Sequence, residues 1–248
     1  NSDLIGSQTF GTGELISSRA YDNLNRLSSL SNTAAGEMLP LSFAYTYNLA
    51  NQRTRTDEGD GKNWIYTYDA LGQLTQGNHR LADNTVLGGQ DFDYAFDEIG
   101  NRTSTAGRAS AASTYTSNAR NEYVTRSVPN VVDILGIDDP ASTVTVEGQT
   151  ATRSGESFHS EVAVSNGSNP VYPTIDITTT SNGGQTVNGE IYVPEDAEPF
   201  TYDDDGNLLT DGRWHYTWDA ENRLTQMHTI AGVPLVAERR LEFEYDHQ

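Results

Sequence analysis

The sequence predicts an all-β chain of tandem antiparallel β-hairpins interrupted by one small β-sandwich. Three observations carry this. An aromatic–acid–turn phase recurs along most of the chain. One internal stretch loses that phase and becomes rich in Val, Thr and Ser. The composition is also rich in Gly and Tyr, with 22 and 13 residues, while hydrophobic residues make up only 35%.

The phase points are Tyr21, Tyr47, Tyr68, Phe96, Tyr202, Trp218 and Tyr245, with a degenerate copy at Ser117. An acid or amide follows each: Asp22, Asn48, Asp69, Asp97, Asn118, Asp203, Asp219 and Asp246. Asn or Gly comes three residues later, at Asn25, Asn51, Gly72, Gly100, Asn121, Gly206 and Asn222. Aromatics two apart, as in FAYTY, WIYTY, FDYAF and WHYTW, project from one face of a strand. Thr46, Thr67, Ala95, Thr116, Thr217 and Glu244 then belong to the other face. The Asp or Asn side chain opens a tight turn by accepting from backbone N–H groups two residues on. The Asn or Gly supplies the left-handed conformation that closes it. A β-prone run then resumes (RLSSL, QLTQ, NRTST, NLLT, RLTQM), so each unit reads strand, turn, strand. The run Asp203-Asp204-Asp205-Gly206 invites comparison with a calcium loop. Its Gly is fourth rather than sixth, however, in register with the other repeats, which favours a plain turn.

The motif Y-x-Y-D-x-x-G/N-R-L, seen in YTYDALGQL, TYDDDGNLL and YTWDAENRL, resembles the YD repeat of bacterial Rhs proteins, Tc toxin C components and animal teneurins. The resemblance covers about residues 15–127 and 199–248. It implies a β-sheet strip curving into a shell or partial shell around cargo, in a larger secreted or cell-surface protein. It also implies the remainder of a longer polypeptide, or a toxin cargo, as partner. The chain starts and stops within patterned sequence, which fits a piece of such a polypeptide.

Phase points are 26, 21, 28 and 21 residues apart, then 85, 16 and 27. The long gap sets the expected division: repeats over 1–127, an insert over 128–198 and repeats again over 199–248. The insert reads as short strands, VVDILGI, STVTVEG, SFHSEVAV, TIDITTT and VNGEIYVP. Turn signals separate them at Asp138-Asp139-Pro140, Ser154-Gly155, Asn166-Gly167 and Asn182-Gly183-Gly184. Its DP dipeptide, VxVxG hairpin and late NGSN resemble an Ig-like accessory domain of the glucodextranase domain B type, which is attached to glycan-active secreted proteins.

The charge of −20, with 35 acids against 15 bases, opposes binding to nucleic acid or to an anionic membrane surface. No cysteine is present, so disulfides and thiolate metal sites are excluded. No run approaches the ~18 apolar residues of a membrane span. Neither phosphate-binding loops nor nucleophile elbows occur, and no cofactor is expected. His79, His159, His215, His228 and His247 lack metal-ligand spacing, so no metal site is expected either.

The alternative to a wall is a glycan-binding or glycoside-hydrolysing protein. Its stacking residues would be Trp64, Tyr66, Trp214, Tyr216 and Trp218, and its carboxylates Asp93, Glu98, Asp203 and Asp219. A packed sheet face accounts for the same aromatics. A glycan, a surface protein, or a second copy pairing through an open sheet edge are the further partners these features suggest.

Overall fold

A computed structural model describes residues 4–12, 14–36, 41–107 and 112–246; His247 lies outside the described residues. Among these, only strands and two 3-10 turns, Ser181–Gly183 and Leu235–Ala237, are present, and no helix is long and apolar enough to cross a membrane. The chain forms two compact units, Asn1–Asp93 and Tyr94–Gln248.

The first unit contains β1 (Ser7–Phe10), β2 (Leu15–Tyr21), β3 (Leu27–Ala34), β4 (Leu41–Tyr47), β5 (Arg53–Glu58), β6 (Asn63–Tyr68), β7 (Leu74–Arg80) and most of β8 (Val86–Phe96). Each strand pairs antiparallel with its sequence neighbour. The second unit begins within β8. It continues with β9 (Arg102–Gly107), β10 (Ser113–Ser117) and β11 (Tyr123–Arg126), again paired in order.

Seven of the eight phase points fall at strand ends, Tyr245 lying past the last strand, and the turn chemistry is the same at all seven. At Asp69, Oδ1 accepts from the N–H groups of Leu71 and Gln73, at 2.9 and 2.8 Å. The Asp69 N–H donates to Gln73 O, and the Gly72 N–H to Asp69 O. This set of bonds repeats at Asp22, Asn48, Asp97, Asn118, Asp203 and Asp219. The fourth turn residue has positive φ in all seven, from 58° at Asn222 to 94° at Gly100. The pairing register shifts by one just before the turn, for example between Thr67 and Tyr68. One residue of the left-handed type thus closes a bulged hairpin. The copy at Ser117, degenerate in sequence, is fully formed in structure because Asn118 and Asn121 suffice.

Beyond β11 the chain builds two small sheets. One has the order β12 (Val131–Ile137), β16 (Ser157–Ala163), β15 (Thr152–Ser154). The other has the order β14 (Gln149–Thr150), β13 (Val144–Val146), β17 (Thr174–Thr179), β18 (Gln185–Glu190). Strands β14 and β15 are additions to the strands expected from sequence, and IYVP lies beyond β18, where Val193 bridges to Val171. Both sheets contribute to one apolar cluster of Val144, Val146, Ala151, Phe158 and Ile175. Gly136 makes room for it, since a methyl group there would lie 2.5 Å from the Phe158 ring.

The chain then returns to β11. Short β19 (Glu198–Pro199) pairs with it, Thr125 opposite Pro199 and Arg126 opposite Glu198. Past Phe200 follow β20 (Thr201–Tyr202), β21 (Leu208–Thr210), β22 (Trp214–Trp218), β23 (Leu224–Thr229) and β24 (Arg240–Glu242), paired in sequence order.

Candidate functional site

The aromatic face is built as the alternation requires. Tyr45, Tyr47, Trp64, Tyr66 and Tyr68 are half-buried, while Thr46 and Thr67 between them are exposed. Trp64 stacks on His79 with ring centroids 4.6 Å apart, and on Tyr66 and Phe92, each at 6.2 Å. His79 is held by Gln90 Oε1 at 2.6 Å and Glu58 Oε2 at 3.2 Å. In the second unit, Trp214 lies under the Arg213 guanidinium and Tyr216 donates to Asp211 Oδ2 at 2.8 Å. The Trp218 indole N–H donates to Leu208 O at 2.8 Å. His215 stacks on His228, directly across the β22–β23 pair. These rings contact one another and the backbone.

The four carboxylates from sequence do not converge on one function. Asp93 accepts from Gln76 Nε2 on the neighbouring strand at 2.9 Å. Glu98 is exposed at a turn tip. Asp203 and Asp219 are the acceptors of two separate turns. Their carboxyls are held below the usual range, Asp203 first by the Asn207 amide and Asp219 first by the Arg223 N–H.

Two couplings between repeats were not legible in the sequence. In the first, the fifth turn residue reaches the left-handed residue of the next turn. Arg26 donates to Asn51 Oδ1 at 2.8 Å, Asn101 to Asn121 Oδ1 at 3.4 Å and Asn207 to Asn222 Oδ1 at 2.8 Å. At Gly72 and Gly206 the fifth side chain of the preceding turn lies where a left-handed Asn side chain would be. A methyl on Gly72 would lie 3.0 Å from Gln52 Nε2, and one on Gly206 3.4 Å from Glu122 Oε1. The Glu122–Gly206 neighbours belong to turns on either side of the insert. In the second coupling, the phase-point aromatic donates to a carbonyl of the preceding repeat: Tyr47 to Leu27, Tyr68 to Arg53, Trp218 to Leu208 and Tyr245 to Leu224, at 2.7–2.9 Å. Arginines add to it, Arg26 over the Tyr47 ring and Arg223 over Tyr245.

Three polar clusters lie in and beside the two small sheets. Asn166, expected from sequence in an open turn, is fully buried. Its amide donates to Pro194 O at 2.9 Å and to Val128 O at 3.3 Å, tying together the segments that lead into and out of these sheets. Glu198, 4% exposed, meets Arg126 at 2.5 Å. Burial pushes its carboxyl up, against the pull of Arg126. Nearby, burial together with the charges of Glu198 and Asp211 pushes the Tyr192 phenol up to about 12. Third, Asp133, His159 and Glu161 meet across β12 and β16, with His159 Nε2 2.6 Å from Asp133 Oδ1. Sequence spacing concealed this group because Asp133 arrives from another strand.

No known family profile matches the chain, and no curated protein matches it. Solved structures do. A TcdB2–TccC3–TEV structure aligns with 98% of the chain at 15% identity and a TM-score of 0.46. A Photorhabdus luminescens Tc holotoxin pore aligns with 97% at 16% identity and a TM-score of 0.44, and a TcdB2–TccC3 structure with 91% at 15% and 0.44. The chain spans 12% of the length of each.

Proposed function

We propose that the chain is a structural segment of a larger YD-repeat protein, a run of β-hairpins that forms a wall and does not itself catalyse a reaction. The observation that carries this reading is the coupling of successive repeats. Three turns donate to the next through the fifth residue, at Arg26, Asn101 and Asn207, and four phase-point aromatics, Tyr47, Tyr68, Trp218 and Tyr245, donate to a carbonyl of the repeat before. Side chains with chemical potential are thereby committed to structure: the turn aspartates to backbone N–H groups, the tryptophans to neighbouring rings and carbonyls. The sequence likeness to YD repeats extends the proposal to a secreted or surface protein whose wall surrounds a cargo or meets a partner. Residues 128–198 are, on this reading, an insert that decorates the wall. The pairing of β11 with β19 and the contact of Glu122 with Gly206 support that division, since both join repeats on either side of it.

The test is an assay of the purified chain against a panel of glycosides and a glycan array. A blank result with a folded circular-dichroism spectrum is expected. Turnover that disappears in Glu98→Gln or Asp93→Asn, with the spectrum unchanged, overturns the proposal.

A further inference from the structure

The segment 128–198 contains eleven acidic residues and a single basic one, Arg153. That arginine is committed to the backbone, donating to the carbonyls of Asp138 and Asp139 at 3.0 and 2.8 Å. In this electronegative setting the β12–β16 pair brings three donor groups to one place. Asp133 stands opposite Glu161, and His159 is two residues before Glu161 on the same strand. Alternation puts all three on one face, because their neighbours Ile134, Phe158 and Val162 pack in or against the apolar cluster. One ligand atom from each lies within 4.8 Å of the other two. The side chains of His159 and Asp133 are 14% and 27% exposed, and Glu161 is exposed, so the group is anchored at one end and open to solvent at the other. The other residues that β12, β15 and β16 place on this face are Val131, Leu135, Ile137, Ser157, Ala163, Thr152 and Ser154.

We propose that Asp133, His159 and Glu161 form a binding site for a divalent transition-metal ion, zinc by the character of the donors, on the face of the β12–β16 pair opposite the apolar cluster. One imidazole nitrogen and two carboxylate oxygens suit zinc, whereas calcium and magnesium favour all-oxygen shells. Ligand distances of about 2.0–2.2 Å from a central ion place donor atoms roughly 3.3–3.5 Å apart. Binding therefore replaces the 2.6 Å His159–Asp133 hydrogen bond with two ligand bonds, and Glu161 closes in. Water completes the coordination on the solvent side. The ion joins two strands of a small sheet.

The experiment is a calorimetric titration of the full chain, first stripped with chelator, using zinc chloride, with magnesium and calcium chlorides as controls. One zinc per chain is expected, weakened at least tenfold in His159→Ala and in Glu161→Gln, and unchanged in His215→Ala. Because Glu161 is exposed, Glu161→Gln reports on binding even if another variant unfolds. Cobalt(II) should give a visible absorption band in the wild type that Glu161→Gln loses. Absence of saturable zinc binding overturns the proposal, as does binding that survives both variants or follows His215 instead.

Discussion

The indole N–H of Trp218 donates to the carbonyl oxygen of Leu208 at 2.8 Å, and Leu208 stands five residues after the turn acid Asp203. Tyr68 makes the same bond to Arg53, five residues after Asn48, at 2.7 Å. The hydroxyl, and not only the ring, thus links one repeat to the one before. Tyr68→Phe keeps the ring and removes the donor, leaving the Arg53 carbonyl without this partner. The expected loss is about 1 kcal/mol in urea unfolding. An unchanged midpoint would show that packing alone couples the repeats.

Gly206 has φ of +86°, and a methyl there would also approach Glu122 Oε1. Gly206→Ala should therefore destabilise by about 1–2 kcal/mol, the usual cost of a left-handed L-residue. Glu122→Ala removes the crowding but not the dihedral strain. The double variant should recover only a small part of the loss, and full recovery would contradict the backbone argument.

Acid should act on some turns and not on others. The carboxyls of Asp22, Asp97, Asp203 and Asp219 all lie below their ordinary value. The leading causes are the Arg26 N–H for Asp22, the Asn101 amide for Asp97, the Asn207 amide for Asp203 and the Arg223 N–H for Asp219. A carboxyl depressed in the folded state contributes stability above its unfolded value of about 3.9, and this is lost as pH falls through the folded value. Hydrogen exchange at the turn amides should accordingly rise below about pH 4 at these four aspartates. The turns at Asn48 and Asn118, whose backbone N–H groups donate to an asparagine oxygen and not to a carboxylate, should keep their protection. Equal loss at all turns would place the acid sensitivity elsewhere.

What the sequence made legible follows from what is local. Phase, turn type and strand alternation depend on residues within about one hairpin, so Asp69, Gly72 and Tyr66 announce their roles by spacing alone. The couplings between repeats do not, because Gln52 meets Gly72 only once two turns are aligned by pairing. The same holds more strongly near the small sheets. Asn166-Gly167 has the composition of an exposed turn, yet Asn166 is enclosed because chain segments from 128–129 and from 194 converge on it. Asp133 and His159 are 26 residues apart and meet only through the β12–β16 register. Under the alternative reading, sequence offered Asp203 and Asp219 as carboxylates near aromatic strand ends; in the structure their oxygens accept from turn amides, the turn role that the repeat register also predicts.

The joint at Glu198 offers the sharpest energetic test. Glu198 is 4% exposed and ion-paired with Arg126 at 2.5 Å, and its backbone pairs with Arg126 in the β11–β19 ladder. Removing Arg126 strands the buried carboxylate, so Arg126→Met alone should cost about 3 kcal/mol or more, and Glu198→Leu alone, which leaves the partly exposed Arg126, less. Arg126→Met together with Glu198→Leu removes both charges and retains apolar volume, and should lie much closer to wild type, since the buried pair is costly to desolvate. Urea unfolding of the four proteins measures the coupling. A double variant as unstable as the sum of its singles would mean that the two charges act independently, with Glu198 held in place chiefly by the Gly212 N–H.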